Sequence, residues 1–196
     1  MALTFANKIT ICRILAVPFV IATLLYYNPA QDYLRYVALG IFLFAVISDV
    51  IDGYIARRYR QKTQAGAILD PLADKLLLIS VFLCLYKIGH DLPAVSLPMW
   101  LVVAVISRDM ILVIGGALIQ LIHGSFLVEA TRWGKLSTFF QVLTVAHNLL
   151  QWQLGTGVLW SVTLVFVLIS GVDYIRNGIK LLNIPAGSQD IKKFLK

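Results

Sequence analysis

Charge is what this sequence has least of. Asp, Glu, Lys and Arg make up 14% of its 196 residues, against 59% hydrophobic residues and a mean hydropathy of +0.82. A soluble domain carries about a quarter charged residues, so a water-facing surface on every side is excluded. Cysteine is nearly absent too. Cys12 and Cys84 lie in separate apolar runs, which excludes a disulfide framework, and two cysteines do not make a metal site. Internal repeats, low-complexity tracts and linker-like segments are missing. One domain over 1–196 is expected.

Six apolar stretches fill the chain instead, at about 9–27, 35–57, 67–88, 97–122, 135–153 and 157–182. Each is long enough to cross a bilayer as a helix, which takes about 20 residues. Polar breaks separate them, among them "YYNPAQDY", "KIGHDLPAVSLP", "IHGSFLVEATRWGK" and "WQLGTG". The expected fold class is an all-α integral membrane protein with six transmembrane helices. The N-terminal run is too long and apolar for a cleaved signal peptide and lacks an A-x-A site, so it is expected to stay as the first helix. Residues 2–8 are expected as a short interfacial helix and 186–196 as a basic cytoplasmic tail.

Lys and Arg set the orientation. With the N-terminus in the cytoplasm, Lys8, Arg57, Arg58, Arg60, Lys62, Arg132, Lys135 and the C-terminal lysines fall inside, and the outer loops keep only Arg35 and Lys87. Both termini are therefore expected in the cytoplasm, with a bacterial inner membrane as the simplest location. The net charge of +7 becomes a face for anionic lipid headgroups rather than for nucleic acid. Its plainer reading is topology alone.

One stretch breaks the apolar pattern. "SDVIDGYIARRYRQKTQAGAILDPLADK", Ser48–Lys75, carries Asp49, Asp52, Asp70 and Asp74. On the expected helices the first pair lies roughly 12 and 7 Å before the end of helix two. The second pair lies about 5 and 10 Å after the start of helix three. All four share a depth just inside the cytoplasmic boundary. Spacings of i, i+3 and i, i+4 keep each pair on one side of its helix. Four carboxylates together repel unless neutralised. An all-oxygen set suits Mg²⁺, Mn²⁺ or Ca²⁺ rather than Zn²⁺, and two such ions about 4 Å apart are the usual device for phosphodiester chemistry. A polar, metal-lined cavity near the cytoplasmic face is expected.

Each aspartate alone has a structural reading. Asp49 or Asp52 would pair with Arg57 or Lys75, and Asp70 before Pro71 would be a helix N-cap. Four at matched depth and face point to function, as intramembrane carboxylates do by default. Gly53 and Ala56 share the face of Asp49 and Asp52. Small side chains there either let a flat ligand approach the backbone or form a packing seam.

The pattern Asp49-x₂-Asp52-Gly53-x₂-Ala56-Arg57-x₈-Gly66-x₃-Asp70-x₃-Asp74 resembles the full signature of the CDP-alcohol phosphotransferase family at all eight positions. The resemblance covers most of the chain, since that family also has six transmembrane helices. It implies that Asp49, Asp52, Asp70 and Asp74 hold two divalent cations, Mg²⁺ or Mn²⁺, on the pyrophosphate of CDP-diacylglycerol. It implies that Asp74 is also the general base for the acceptor hydroxyl. Gly53, Ala56 and Gly66 would make room for the donor, and Arg57 and Thr63 would contact it. "ANKITICR" resembles the family's N-x₂-T-x₂-R element, so Asn7 and Thr10 would touch the CDP group, while Arg13 would serve there or anchor the helix by snorkelling. A homodimer is implied as well.

The acceptor is read from the later helices. Arg108-Asp109 stands near the middle of helix four, where a charge must find a partner. Either the two pair with each other or a neighbouring helix, or Arg108 binds an acceptor phosphate. Lys135, Thr138 and Gln141 form an i, i+3, i+6 stripe, with Lys135 near the depth of the aspartates and Thr138 and Gln141 also suited to interhelical hydrogen bonds. Arg176 is a second phosphate anchor or ordinary inside charge. Phosphatidylglycerophosphate synthases usually carry Arg-Glu here and another arginine eight residues on. This chain has Arg108-Asp109 and Gly116. "DPLADKLLLIS", "ISRDMIL" and the stripe look more like cardiolipin synthases of this fold, so phosphatidylglycerol is the expected acceptor, with glycerol-3-phosphate as the alternative. A divalent-cation transporter is the different-class alternative, but no carboxylates continue an outward path.

Overall fold

A computed structural model describes the backbone of residues 5–59, 64–91, 96–123, 131–152 and 154–182, and the side chains of 14–51, 73–89, 96–119, 131–152 and 154–180. Among the described residues six α-helices follow in order: α1 Phe5–Leu25, α2 Tyr33–Tyr59, α3 Gln64–Asp91, α4 Met99–His123, α5 Arg132–Leu149 and α6 Thr156–Leu182. Each expected apolar stretch is a helix, with ends shifted by a few residues. α1 takes in Phe5–Lys8 of the expected interfacial piece. Residues 2–4 and the tail 186–196 lie outside the described residues.

Local chemistry explains the boundaries. Between α1 and α2, Asn28 caps a 3-10 turn at Pro29–Gln31, its side-chain oxygen accepting from the Ala30 amide at 3.2 Å. Proline at the first position suits that turn, since its missing N–H would have no partner there anyway. Thr131 caps α5 by accepting from the Gly134 amide at 3.1 Å. Pro18 lies inside α1, a placement that membrane helices tolerate when neighbours satisfy the freed carbonyl.

Among the described residues three stretches are long and apolar enough to cross a membrane: Tyr33–Ile51, Met99–Ile119 and Thr156–Lys180. Ile14–Leu25 is a shorter apolar helix. Large apolar side chains stand on the outside, including Phe44 and Val50 of α2, Ile114 of α4 and Val158 of α6. Water would not tolerate so much exposed apolar surface; lipid does.

The chain forms two compact units, Met1–Val102 with Val145–Leu154, and Val103–Thr144 with Gly155–Lys196. In the first, α1 packs against both α2 and α3. Val20 and Leu24 of α1, Ala38, Phe42 and Ala45 of α2, and Leu77, Val81 and Leu85 of α3 are buried. At the α1–α2 connection Arg35 donates to Asp32 at 2.7 Å and to the Tyr36 hydroxyl at 3.2 Å. Tyr27 donates to Asp32 at 3.3 Å and accepts from Gln151 at 3.0 Å. Burial first, and the Asp32 carboxylate second, push the Tyr27 hydroxyl pKa up, which keeps it a donor.

In the second unit, helices in lipid gain little from the hydrophobic effect, so close approach and hydrogen bonds hold them together. Thr144 of α5 and Thr163 of α6 share a hydrogen bond at 2.8 Å. The Tyr174 hydroxyl donates to the Leu112 carbonyl at 3.1 Å. A methyl on Gly115 would meet the Tyr174 ring at 2.9 Å. Gly115→Ala is therefore expected to push the ring off Leu112 and destabilise the protein by about 1–3 kcal/mol. Gly157→Ala, which meets nothing within 4 Å, is expected to stabilise by about 0.5–1 kcal/mol. Thermal unfolding in detergent checks the opposite signs.

Candidate active site

The inward face of α2 changes character along its length. Buried Ala38, Phe42 and Ala45 follow alternating steps of four and three, the rhythm that keeps a helix face constant. The next two steps fall on Asp49 and Asp52. On α3 the buried face of Leu85, Val81 and Leu77 leads back, also in steps of four and three, to Asp74 and Asp70. An apolar packing face thus becomes acidic on both helices as they near their connection.

The helix bounds sharpen the matching of heights. Asp49 stands ten residues before the last residue of α2, Tyr59, and Asp74 ten residues after the first residue of α3, Gln64. Asp52 and Asp70 stand seven and six residues from the same ends. At ~1.5 Å per residue the outer pair lies ~15 Å from the connection and the inner pair ~10 Å. The expected distances were shorter because α2 and α3 run on by two and three residues.

Asp49 and Asp74 are half-buried, and both are engaged by neighbouring groups, as is Lys75. The N-cap reading of Asp70 is overturned, because α3 begins at Gln64 and carries Asp70 and Pro71 inside it. The side chains of Asp52, Gly53, Ala56, Arg57, Gly66 and Asp70 lie outside the described ones, although their backbone is helical. The same holds for Asn7 and Thr10 on α1, and Thr63 lies outside the described residues altogether. Among the described residues no three His, Cys, Asp or Glu gather. Only two of the four signature carboxylates have described side chains.

The second unit holds a buried cation. Arg108 on α4 is 4% exposed and Asp109 is fully buried. The guanidinium donates from Nη1 to the Asp109 carboxylate at 2.6 Å. It also donates from Nε and Nη2 to the Ser170 hydroxyl of α6 at 3.2 and 2.6 Å. Nη2 reaches the Gly134 carbonyl of α5 at 3.5 Å. Two glycines flank it: a methyl on Gly134 would lie 3.4 Å from Nη2, and one on Gly171 3.7 Å from Cγ. Arg108 thus pairs both with its chain neighbour and with neighbouring helices. The Nε–Nη2 edge now on Ser170 is the fork that recognises carboxylate and phosphate elsewhere.

The other acceptor candidates sit differently. Lys135 and Arg176 are exposed, and Thr138 is half-buried with its hydroxyl donated to the Gly134 carbonyl of its own helix at 3.1 Å. The buried polar face of α5 is Ser137, Gln141 and Thr144, rather than the stripe Lys135, Thr138 and Gln141. Ser170, Gly134 and Gly171 escaped sequence reasoning. The usable signal was that a mid-helix arginine needs small and hydroxyl neighbours.

Residues 3–169 match the family model described as CDP-alcohol phosphatidyltransferase. A protein of Mycobacterium tuberculosis named "Probable phosphatidylglycerophosphate synthase" is 31% identical over 180 residues, 89% of this chain and 81% of its own length. The "CDP-diacylglycerol--glycerol-3-phosphate 3-phosphatidyltransferase" of Aquifex aeolicus is 31% identical over 183 residues, 90% of this chain and 96% of its own. The Bacillus subtilis protein of that name is 31% identical over 185 residues, 86% of this chain and 91% of its own. Apolar helices and bacterial relatives together suggest an integral membrane protein. With its acidic helix face and a match spanning most of its length, this chain belongs to the CDP-alcohol phosphatidyltransferase family.

Proposed function

We propose that the protein moves the phosphatidyl group of CDP-diacylglycerol to the primary hydroxyl of glycerol-3-phosphate, giving phosphatidylglycerophosphate and CMP. Transfer of a phosphatidyl group from a CDP-alcohol is the activity of the family to which the chain belongs. The acceptor is the finer step. The names of the relatives, glycerol-3-phosphate transferases among them, favour it over the phosphatidylglycerol that Asp109 and Gly116 led us to expect. The observation that carries the chemistry is the paired acidic face of α2 and α3.

Asp49, Asp52, Asp70 and Asp74 would hold two divalent cations, Mg²⁺ or Mn²⁺, a fit supported by their all-oxygen donors. When bound, the ions neutralise charge on the phosphate oxygens. Asp74 takes the proton from the acceptor hydroxyl. That oxygen attacks the β-phosphorus, the bond to the bridging oxygen breaks, and CMP departs. Asn7, Thr10, Gly53, Ala56, Arg57, Thr63 and Gly66 bind the donor. Arg108 binds the acceptor phosphate on the edge now occupied by Ser170, and Lys135, Thr138 and Arg176 assist. Six membrane spans, cytoplasmic termini, a cytoplasmic cavity, a bacterial inner membrane and a homodimer complete the proposal.

Purified protein with CDP-diacylglycerol and Mg²⁺ or Mn²⁺ is expected to release CMP with glycerol-3-phosphate and not with phosphatidylglycerol. Release with phosphatidylglycerol alone would restore cardiolipin synthesis as the reading. Release with neither would return attention to cation transport.

A further inference from the structure

Along α5 the buried polar side chains fall into two kinds. Thr144 is fully buried and satisfied: its hydroxyl meets the Phe140 carbonyl at 2.8 Å and Thr163 at 2.8 Å. One and two turns back, Gln141 and Ser137 are also fully buried. Yet among the described residues the Gln141 Oε1 and Nε2 and the Ser137 Oγ have no hydrogen-bond partner. They are i, i+4 neighbours on one helix face. Protein interiors rarely leave such groups unpaired, and an unpaired set on adjacent turns asks what completes it.

The chemistry of the set narrows the answer. It offers an amide oxygen, an amide NH₂ and a hydroxyl. Donors and acceptors are mixed and no charge is present, so the complement is a neutral group that both donates and accepts, as an alcohol hydroxyl does. A phosphate would only accept, and the same unit already holds a cation for one in Arg108. We infer that Ser137 and Gln141 are specificity-determining residues that hydrogen-bond the non-reacting secondary hydroxyl of the acceptor. The inference rests on the glycerol-bearing acceptor proposed above. Glycerol-3-phosphate and the headgroup of phosphatidylglycerol both carry a secondary hydroxyl next to the primary one that reacts.

The test compares kcat/KM for glycerol-3-phosphate and for 3-hydroxypropyl phosphate, which lacks the secondary hydroxyl, in the wild-type protein and in Gln141→Leu. A site built to bond a hydroxyl strongly rejects the analogue without it, so wild type is expected to favour glycerol-3-phosphate by tenfold or more. Gln141→Leu is expected to bring the ratio near one by losing rate on glycerol-3-phosphate only, with the CDP-diacylglycerol KM unchanged. Its unfolding temperature should hold or rise, because leucine replaces an unpaired amide by an apolar group of similar shape. A merely structural glutamine would move stability and leave the ratio alone.

An unchanged ratio in Gln141→Leu overturns the inference and leaves the proposed function standing. If that variant does not fold, Ser137→Ala and Gln141→Met read the same ratio with the same two outcomes. If wild type accepts only phosphatidylglycerol, the pair becomes that lipid and its propanediol analogue. If wild type releases CMP with no glycerol-bearing acceptor, the proposed function fails and the inference with it.

Discussion

Asp74→Asn is expected to lower CMP release by about 10²–10⁴-fold, the usual worth of a general base, while much of the donor binding survives. Asparagine keeps the shape of the side chain but cannot take the acceptor proton. Asp74 stands at the start of the buried face of α3, directly after fully buried Ala73 and one turn before fully buried Leu77 and Leu78. Asp74 itself is half-buried, and an amide of equal size should fit in its place. The informative comparison sets turnover against metal-dependent binding of CDP-diacylglycerol. If Asp74→Asn loses both together, its main duty is holding the donor complex. If the double variant Asp49→Asn with Asp70→Asn keeps full metal-dependent binding, the two-cation site is wrong.

Arg108→Ala should cost about 3–5 kcal/mol of stability, as expected when one partner of a buried ion pair is removed. Asp109 is fully buried, and the truncation strips the guanidinium from it while taking two hydrogen bonds from Ser170. Replacing both members, Arg108→Ala with Asp109→Ala, should recover much of the loss, because no carboxylate then remains buried without its guanidinium. Thermal unfolding of the two singles and the double closes the cycle. An additive result would mean that the 2.6 Å contact contributes no coupling. In the folded fraction, the acceptor KM should rise more than the donor KM. The reverse would move Arg108 to the donor side.

Helices were legible because each apolar stretch is long and bounded by polar breaks. The acidic face was legible because Asp49, Asp52, Asp70 and Asp74 repeat at helical spacing. The polar face of α5 was not. Successive steps of three each fall ~60° short of a full turn at 3.6 residues per turn, so Lys135, Thr138 and Gln141 drift round the helix from exposed to half-buried to buried. Ser137, Gln141 and Thr144, in steps of four and three, stay on one side. The α6 partner of Arg108 was hidden for another reason, whereas the pairing with Asp109 was legible. Ser170 is 62 positions away in sequence, and only the packing of α6 against α4 joins them. For the acceptor, Asp109 and Gly116 point one way and the names of relatives similar along most of the chain point the other.

The ion pair at the α1–α2 connection bears on how the chain enters a bilayer. Asp32 and Arg35 are the only charged residues between Leu25 and Asp49, and they are joined at 2.7 Å. A helical hairpin made of α1 and α2 therefore carries no net charge at its tip. Each uncompensated charge would feel ~2.3 kcal/mol per 100 mV of membrane potential. On the six spans proposed above, the paired tip would cross that field carrying no net charge, in either direction.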